Sequence, residues 1–159
     1  MIQKFVNWVR SFRKPSGPTE LVFFDGDQAT KAELSKFYRA NDTTEYHWVQ
    51  VAPTSPKLAS NMKVQLHRAP NTGKEATDTK ITMLLTHLCN KYTSTVKRVH
   101  IISADGDFAD VIETACDLFP TVRFTQMINT RRKTNKDLRA TFRRLEGRNC
   151  SVVFYRMPT

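Results

Sequence analysis

Leu21-Val22-Phe23-Phe24 runs directly into Asp25-Gly26-Asp27, and Val99–Ser103 leads through Ala104 into Asp105-Gly106-Asp107. A further acid, Asp78, opens an apolar-periodic stretch after a polar loop. Such placement matters because open α/β sheets bind ligands outside the carboxyl ends of their strands. Strands one and four of these sheets are commonly neighbours, so Asp25, Asp27, Asp105 and Asp107 are expected to converge, and Asp78, opening a helix after a loop, is placed to point at the same crevice. That many carboxylates in one cleft repel each other unless some are protonated or a cation sits among them. Oxygen donors of this kind suit Mg2+ or Mn2+. An ion held there positions water and neutralises charge developing on a phosphate. Each acid also has a plainer use. Asp78 follows Thr77 and would suit a helix N-cap, while Asp105 and Asp107 would shape a turn around Gly106. Asp25-Gly26-Asp27, after four apolar residues, is the hardest to assign to a turn alone.

The elements that must position these acids follow from periodicity. Leu21–Phe24 predicts a short buried strand. Ala29–Ala40 predicts a helix with Leu34, Phe37 and Tyr38 inward. Tyr46–Val51 and Met62–Leu66 read as strands, and a polar loop, Arg68–Thr77, leads into a helix from Asp78 to Tyr92 with Ile81, Leu84, Leu85 and Leu88 on one face. Then come a strand at Val96–Ser103, a helix at Phe108–Phe119 and a strand at Val122–Ile128. A basic helix at Asn135–Leu145 and a strand at Ser151–Tyr155 close the chain. Strands alternating with helices imply an α/β fold with a mainly parallel central sheet in three layers. Residues 1–19 form an appendage: Ile2, Phe5, Val6, Val9 and Phe12 recur at helical spacing, and Lys14-Pro15-Ser16-Gly17-Pro18 breaks the pattern. Residues 20–159 make one domain. Phe108 and Tyr155 read as core, whereas Tyr38, Trp48 and Tyr92 suit either core or base stacking.

With 159 residues and 40% hydrophobic composition, the chain is long enough for one real core. No apolar run approaches the roughly 20 residues of a membrane-crossing helix. Cys89, Cys116 and Cys150 are odd in number and lie in apolar stretches, which reads as three buried thiols in a reducing compartment. His47, His67, His87 and His100 show no zinc spacing. The formal charge of +10 is concentrated in two places. Residues 1–19 carry Lys4, Arg10, Arg13 and Lys14 with no acid, and residues 131–148 carry a net +6. Basic clusters on a neutral body suit a polyanion, through faster encounter and counterion release. Arg131, Arg132, Lys133, Lys136, Arg139, Arg143 and Arg144 are the candidate nucleic-acid contacts. A solvated helix face is the plainer alternative.

Phe23-Phe24-Asp25-Gly26-Asp27-Gln28 resembles the opening motif of NYN domains, members of the PIN-like nuclease superfamily. Ile102-Ser103-Ala104-Asp105-Gly106-Asp107-Phe108 resembles their S-G-D-x-D-F signature, and Gly73-Lys74 followed by Asp78 resembles their central K-G-x-D element. The chain departs from the pattern at Gln28, where Asn is common, at Ala104, where Gly is usual, and in the spacing of Lys74. The resemblance implies a Rossmann-like, PIN-like domain with metal-dependent endoribonuclease activity on single-stranded or structured RNA. It implies catalytic or metal-binding roles for Asp25, Asp78, Asp105 and Asp107, with Asp27 beside them and Mg2+ or Mn2+ as cofactor. A competing likeness is the D-x-D-x-T/V motif of haloacid dehalogenase-like phosphatases, with Ser103 as phosphate-binding hydroxyl. That family's downstream lysine and further acidic motif have no counterpart in the right order. A nucleic-acid binder without catalysis, and an adaptor docking a protein partner through its N-terminal helix, are the other readings. Cytoplasm is the default location, organelle import and homo-oligomer formation staying open.

Overall fold

The structure, a computed structural model, describes residues 16–28, 30–41, 45–53, 62–69, 75–130, 136–145 and 147–156. The expected N-terminal helix lies outside the described residues, as do Gly73, Lys74, Arg131, Arg132 and Lys133. In chain order the elements are β1 (Glu20–Asp25), α1 (Lys31–Asn41), β2 (Tyr46–Ala52), β3 (Val64–Arg68), α2 (Ala76–Lys91), β4 (Arg98–Ile102), α3 (Phe108–Leu118), β5 (Arg123–Asn129), α4 (Lys136–Arg144) and β6 (Cys150–Tyr155). The six strands form one sheet in the order β3-β2-β1-β4-β5-β6, and every pairing is parallel. This is the Rossmann-like strand order, which reverses direction between β1 and β4.

Both faces of the sheet are covered, which is why its central strands read as unbroken apolar runs rather than alternating ones. On one face, Val22, Phe24, Trp48 and Ile102 pack under α1 through Leu34 and Tyr38. On the other, Leu21, Phe23, Val49, Ile101, Phe124 and Ile128 pack under α2, α3 and α4 through Ile81, Leu85, Ile112 and Phe142. Phe23 and Phe24 are fully buried on opposite faces, each worth roughly 1.5–3 kcal/mol of transfer free energy. That pair fixes the register of β1 and so the place where its terminal Asp25 emerges.

Most boundaries shift by one or two residues from the sequence expectation, and three of the shifts have a visible cause. β3 begins two residues late, at Val64, because this edge strand exposes Gln65 and Leu66 and its apolar pattern does not mark its ends. α1 starts at Lys31, after Thr30 accepts a hydrogen bond from the Glu33 N–H at 3.3 Å and the Thr30 N–H donates to Glu33 Oε2 at 2.6 Å. That reciprocal pair is a capping box. α2 starts at Ala76, so Asp78 lies inside its first turn and the N-cap position belongs to Glu75. Among the stacking candidates, Tyr38, Trp48 and Phe108 are core, and Tyr155 packs edge-on against Phe37 with ring centroids 4.8 Å apart. Tyr92 is half-buried, against the core at the end of α2.

Candidate metal centre at the carboxyl edge

Two chain segments reach the reversal point between β1 and β4, and they fold alike. Asp25 ends β1, and its Oδ1 accepts the Asp27 N–H at 3.0 Å. After β4, Asp105 Oδ1 accepts the Asp107 N–H at the same 3.0 Å. Each Asp-Gly-Asp is thus a tight turn closed by its first carboxylate, as the turn reading expects. The turn uses one oxygen of each first aspartate and leaves the other. In the first segment, a Cβ on Gly26 would stand 2.3 Å from Ala52 Cβ and 2.6 Å from the Val51 carbonyl oxygen. The Gly26 N–H donates to that same carbonyl at 2.7 Å, so the turn lies flat against β2 and admits no side chain there.

Ser103 ties the two turns together. Its hydroxyl donates to Asp25 Oδ2 at 2.6 Å, and its Oγ accepts the Asp105 N–H at 3.1 Å. From β5 below, the buried Gln126 side chain donates to the carbonyls of Ser103 and Asp105 at 3.0 and 2.7 Å. At the same edge, Asn129 donates to the second oxygen of Glu33, fastening the capped start of α1 to the end of β5. The sequence reading passed over Gln126, Asn129 and Glu33. The Thr30-x-x-Glu33 spacing is a legible signal for the last, whereas a lone Gln or Asn in a strand carries none.

These braces hold three carboxylates together. One oxygen each from Asp78, Asp105 and Asp107 lies within 4.8 Å of the others. Asp107 occupies the N-cap position of α3 but makes no side-chain cap bond, so its carboxylate is not spent on the helix. Asp78 is pushed up to about 7, first by burial and then by the charges of Asp105 and Asp25, and it hydrogen-bonds to Asp105 as the acid. Asp25 is fully buried beside them and is raised to about 6. Burial is the main cause there; the Ser103 and Asp27 hydrogen bonds oppose it, and the charges of Asp27 and Asp105 add to it. The donor set of three hard carboxylate oxygens fits a divalent ion such as Mg2+ or Mn2+. Asp25, expected among the ligands, stands behind them with both oxygens engaged. Asp27 is exposed at the rim and is not one of the three.

The basic set divides. Lys136 opens α4, close after the carboxyl end of β5, and Arg139 lies a turn further on. Arg144, at the far end of α4, pairs with Glu113 at 2.9 Å, and Arg148 bonds Asp117 and lies 3.8 Å from Glu113. Those acids of α3 neutralise charge that sequence counting credits to a polyanion. Arg143 is exposed, with no ion pair to a described residue. Cys89 and Cys116 are buried free thiols, and Cys150 is half-buried beside Cys116, whose thiol burial pushes up to about 12.

No known family's sequence model matches this chain, nor does the sequence of any curated protein. Among solved structures, it is similar to a protein of unknown function from Vibrio parahaemolyticus. The TM-score is 0.52 at 17% identity, over 89% of this chain and 96% of that one. Together with the strand order, the likeness defines an α/β, Rossmann-like three-layer domain. Among the described residues, no helix is long and apolar enough to cross a membrane.

Proposed function

We propose that the protein is a divalent-metal-dependent endoribonuclease of the NYN type, hydrolysing RNA phosphodiester bonds at the carboxyl edge of its sheet. The observation that carries this reading is the cluster of Asp78, Asp105 and Asp107 within 4.8 Å at the strand-order reversal. The two likenesses between its Asp-Gly-Asp turns and the NYN motifs support it.

Asp78, Asp105 and Asp107 would hold the ion. A bound Mg2+ or Mn2+ supplies the positive charge against which negative charge grows on the attacked phosphate. The remaining work falls to the chain. Asp78, raised to about 7, gives up its proton as the site fills, which links loading to pH. Asp25 acts through Ser103: its carboxylate orients the hydroxyl whose oxygen holds the Asp105 N–H. It is a positioning residue, and its burial suits that role better than the attacking role a phosphatase would require. Lys136 and Arg139, with Arg131, Arg132 and Lys133 ahead of them in sequence, would bind the RNA backbone next to an otherwise repulsive cleft. Such contacts go to phosphate, so preference among RNAs comes from shape and unpaired bases. A cytoplasmic site of action goes with an RNA substrate and three free thiols.

Incubating single-stranded RNA with the protein in Mn2+ or in EDTA tests the reading. Cleavage in Mn2+ that EDTA stops and that Asp105→Asn removes is the expected result. Binding without cleavage under every divalent ion overturns the nuclease and leaves a nucleic-acid binder of the same fold.

A further inference from the structure

We propose that the groove over the amino halves of β4, β5 and β6 binds a compact phosphate dianion, a phosphomonoester or pyrophosphate group. α1 covers the carboxyl half of this face, reaching Phe24, Ile102, Met127 and Tyr155. Among the described residues no helix covers the amino half, which holds a cavity of about 320 Å³ whose described lining includes Arg98, Arg123, Arg148, His100, Thr125 and Ser151, and no acid.

Several features mark this as a built anion site. Arg98 and Arg123 are direct partners on adjacent strands, and like charges placed opposite one another destabilise a sheet unless something answers them. Arg98 and Arg148 are held from outside the groove, Arg98 by Glu20 at 3.8 Å and Arg148 by Asp117 and Glu113. Arg123 is exposed, and no described residue forms an ion pair with it. His100 uses Nε2 on Glu20 at 3.0 Å, which leaves the Glu20 carboxylate answered within the sheet. The Thr125 and Ser151 hydroxyls, 3.4 Å apart, add neutral donors on the floor. The planar guanidinium forks of Arg98 and Arg123, side by side on adjacent strands, match the oxygens of a phosphate. The bounded volume favours a compact group over a running polymer. β4 separates this groove from the carboxylates by its whole length, roughly 16 Å at 3.3 Å per residue, so the site stands or falls independently of the nuclease reading.

Isothermal titration of the full chain with pyrophosphate, at fixed ionic strength and without divalent ions, tests the proposal. Saturable one-to-one binding is expected. Arg123→Gln should weaken it about tenfold or more, the loss of one charge-assisted contact, and Ser151→Ala should weaken it less. Asp105→Asn, on the opposite edge, should leave it unchanged. Circular dichroism confirms that the exposed Arg123 variant is folded. Failure to saturate at millimolar pyrophosphate overturns the proposal. So does affinity that Arg123→Gln leaves intact, or that Asp105→Asn removes. A single-stranded RNA that binds through Arg123 where pyrophosphate does not also overturns it, and reassigns the groove to a polymer.

Discussion

β1 carries an acid at each end, and the fold surrounds the two in opposite ways. Glu20, at the amino end, is buried, which pushes its carboxyl up, yet hydrogen bonds from Tyr46 and His100 and the charges of His100 and Arg98 outweigh that and hold it below its ordinary 4.5. Asp25, at the carboxyl end, is buried among further acids and rises to about 6. Burial alone therefore does not separate a structural acid from a functional one. The sign of the neighbours does. At the amino edge the acid of β1 meets bases and is satisfied by them. At the carboxyl edge Asp25, Asp78, Asp105 and Asp107 meet chiefly each other, an arrangement that raises the free energy of the folded state until a cation arrives.

The largest expected contrast is in catalysis. Asp105→Asn should lower Mn2+-dependent RNA cleavage by roughly a hundredfold or more, since several kcal/mol of charge stabilisation leave with the ion. Glu20→Gln should leave cleavage per folded molecule unchanged while lowering stability. Single-turnover cleavage measured beside a denaturant titration separates the two. Equal losses of cleavage in both variants would erase the distinction between the ends of β1.

Backbone requirements at the two edges give the next contrast. Gly26→Ala forces a Cβ into Ala52 and the Val51 carbonyl, an overpacking that costs about 1–3 kcal/mol and should also weaken Mn2+ binding by tilting the first turn. Gly147, at the amino edge, has φ +85, and no described residue lies within 4 Å of where its Cβ would stand. Gly147→Ala should cost about 1 kcal/mol through backbone strain alone, with Mn2+ affinity intact. Midpoints of urea unfolding and a Mn2+ titration report both.

The sequence carried the contrast unevenly. Every strand in the sheet was legible, because buried parallel strands are apolar runs between punctuation, and the Asp-Gly-Asp turns stood at the ends of two of them. The approach of Asp25 and Asp27 to Asp105 and Asp107 followed once β1 and β4 were taken as neighbours, and Asp78 was placed there only by opening a helix after a loop. Asp25's place behind the cluster was not legible, since it depends on Ser103 reaching back across the reversal point at 2.6 Å. The pairing of Arg144 with Glu113 was hidden for a similar reason. It is a contact between helices 31 residues apart in sequence, and charge counting along a chain sees no neighbour across a groove. The amino-edge arginines were missed because Arg98, Arg123 and Arg148 are spread over 51 positions and gather only through strand register.

Proton linkage should tilt the two edges in opposite directions. Between 3.8, the ordinary value, and about 7, the folded chain keeps a proton on Asp78 that the unfolded chain has released. Asp25 does the same up to about 6. Raising pH through that window therefore destabilises the metal-free protein. Glu20 works the other way: its lowered carboxyl stabilises the fold above 4.5, and that contribution drains away as pH falls below it. Stability without metal should peak in the weakly acidic range and decline toward neutral pH. Asp105→Asn should flatten the neutral decline, and saturating Mn2+ should reverse it. Thermal unfolding across pH, with and without Mn2+, checks the slopes. A metal-free protein that gains stability from pH 5 to pH 8 would remove the claim that the carboxyl edge is electrostatically unsatisfied.

The smallest effect is expected at Arg144, where the two edges can be compared in one basic segment. Its pair with Glu113 is solvent-exposed, with the arginine side chain 61% accessible, and such pairs contribute about 0.2–1 kcal/mol. Arg144→Gln should therefore cost little stability, and it should leave the salt dependence of RNA binding nearly unchanged because the guanidinium is already answered. Arg131→Gln with Arg132→Gln removes charge from the connection that leaves Thr130 at the carboxyl end of β5. That pair should flatten the dependence by roughly 0.7 logarithmic units per lost phosphate contact on a single strand. Filter binding over a salt series decides the matter. A flatter slope in Arg144→Gln than in the double variant would move the RNA track to the carboxyl end of α4, away from the carboxylates, and the cluster would then need another route to its substrate.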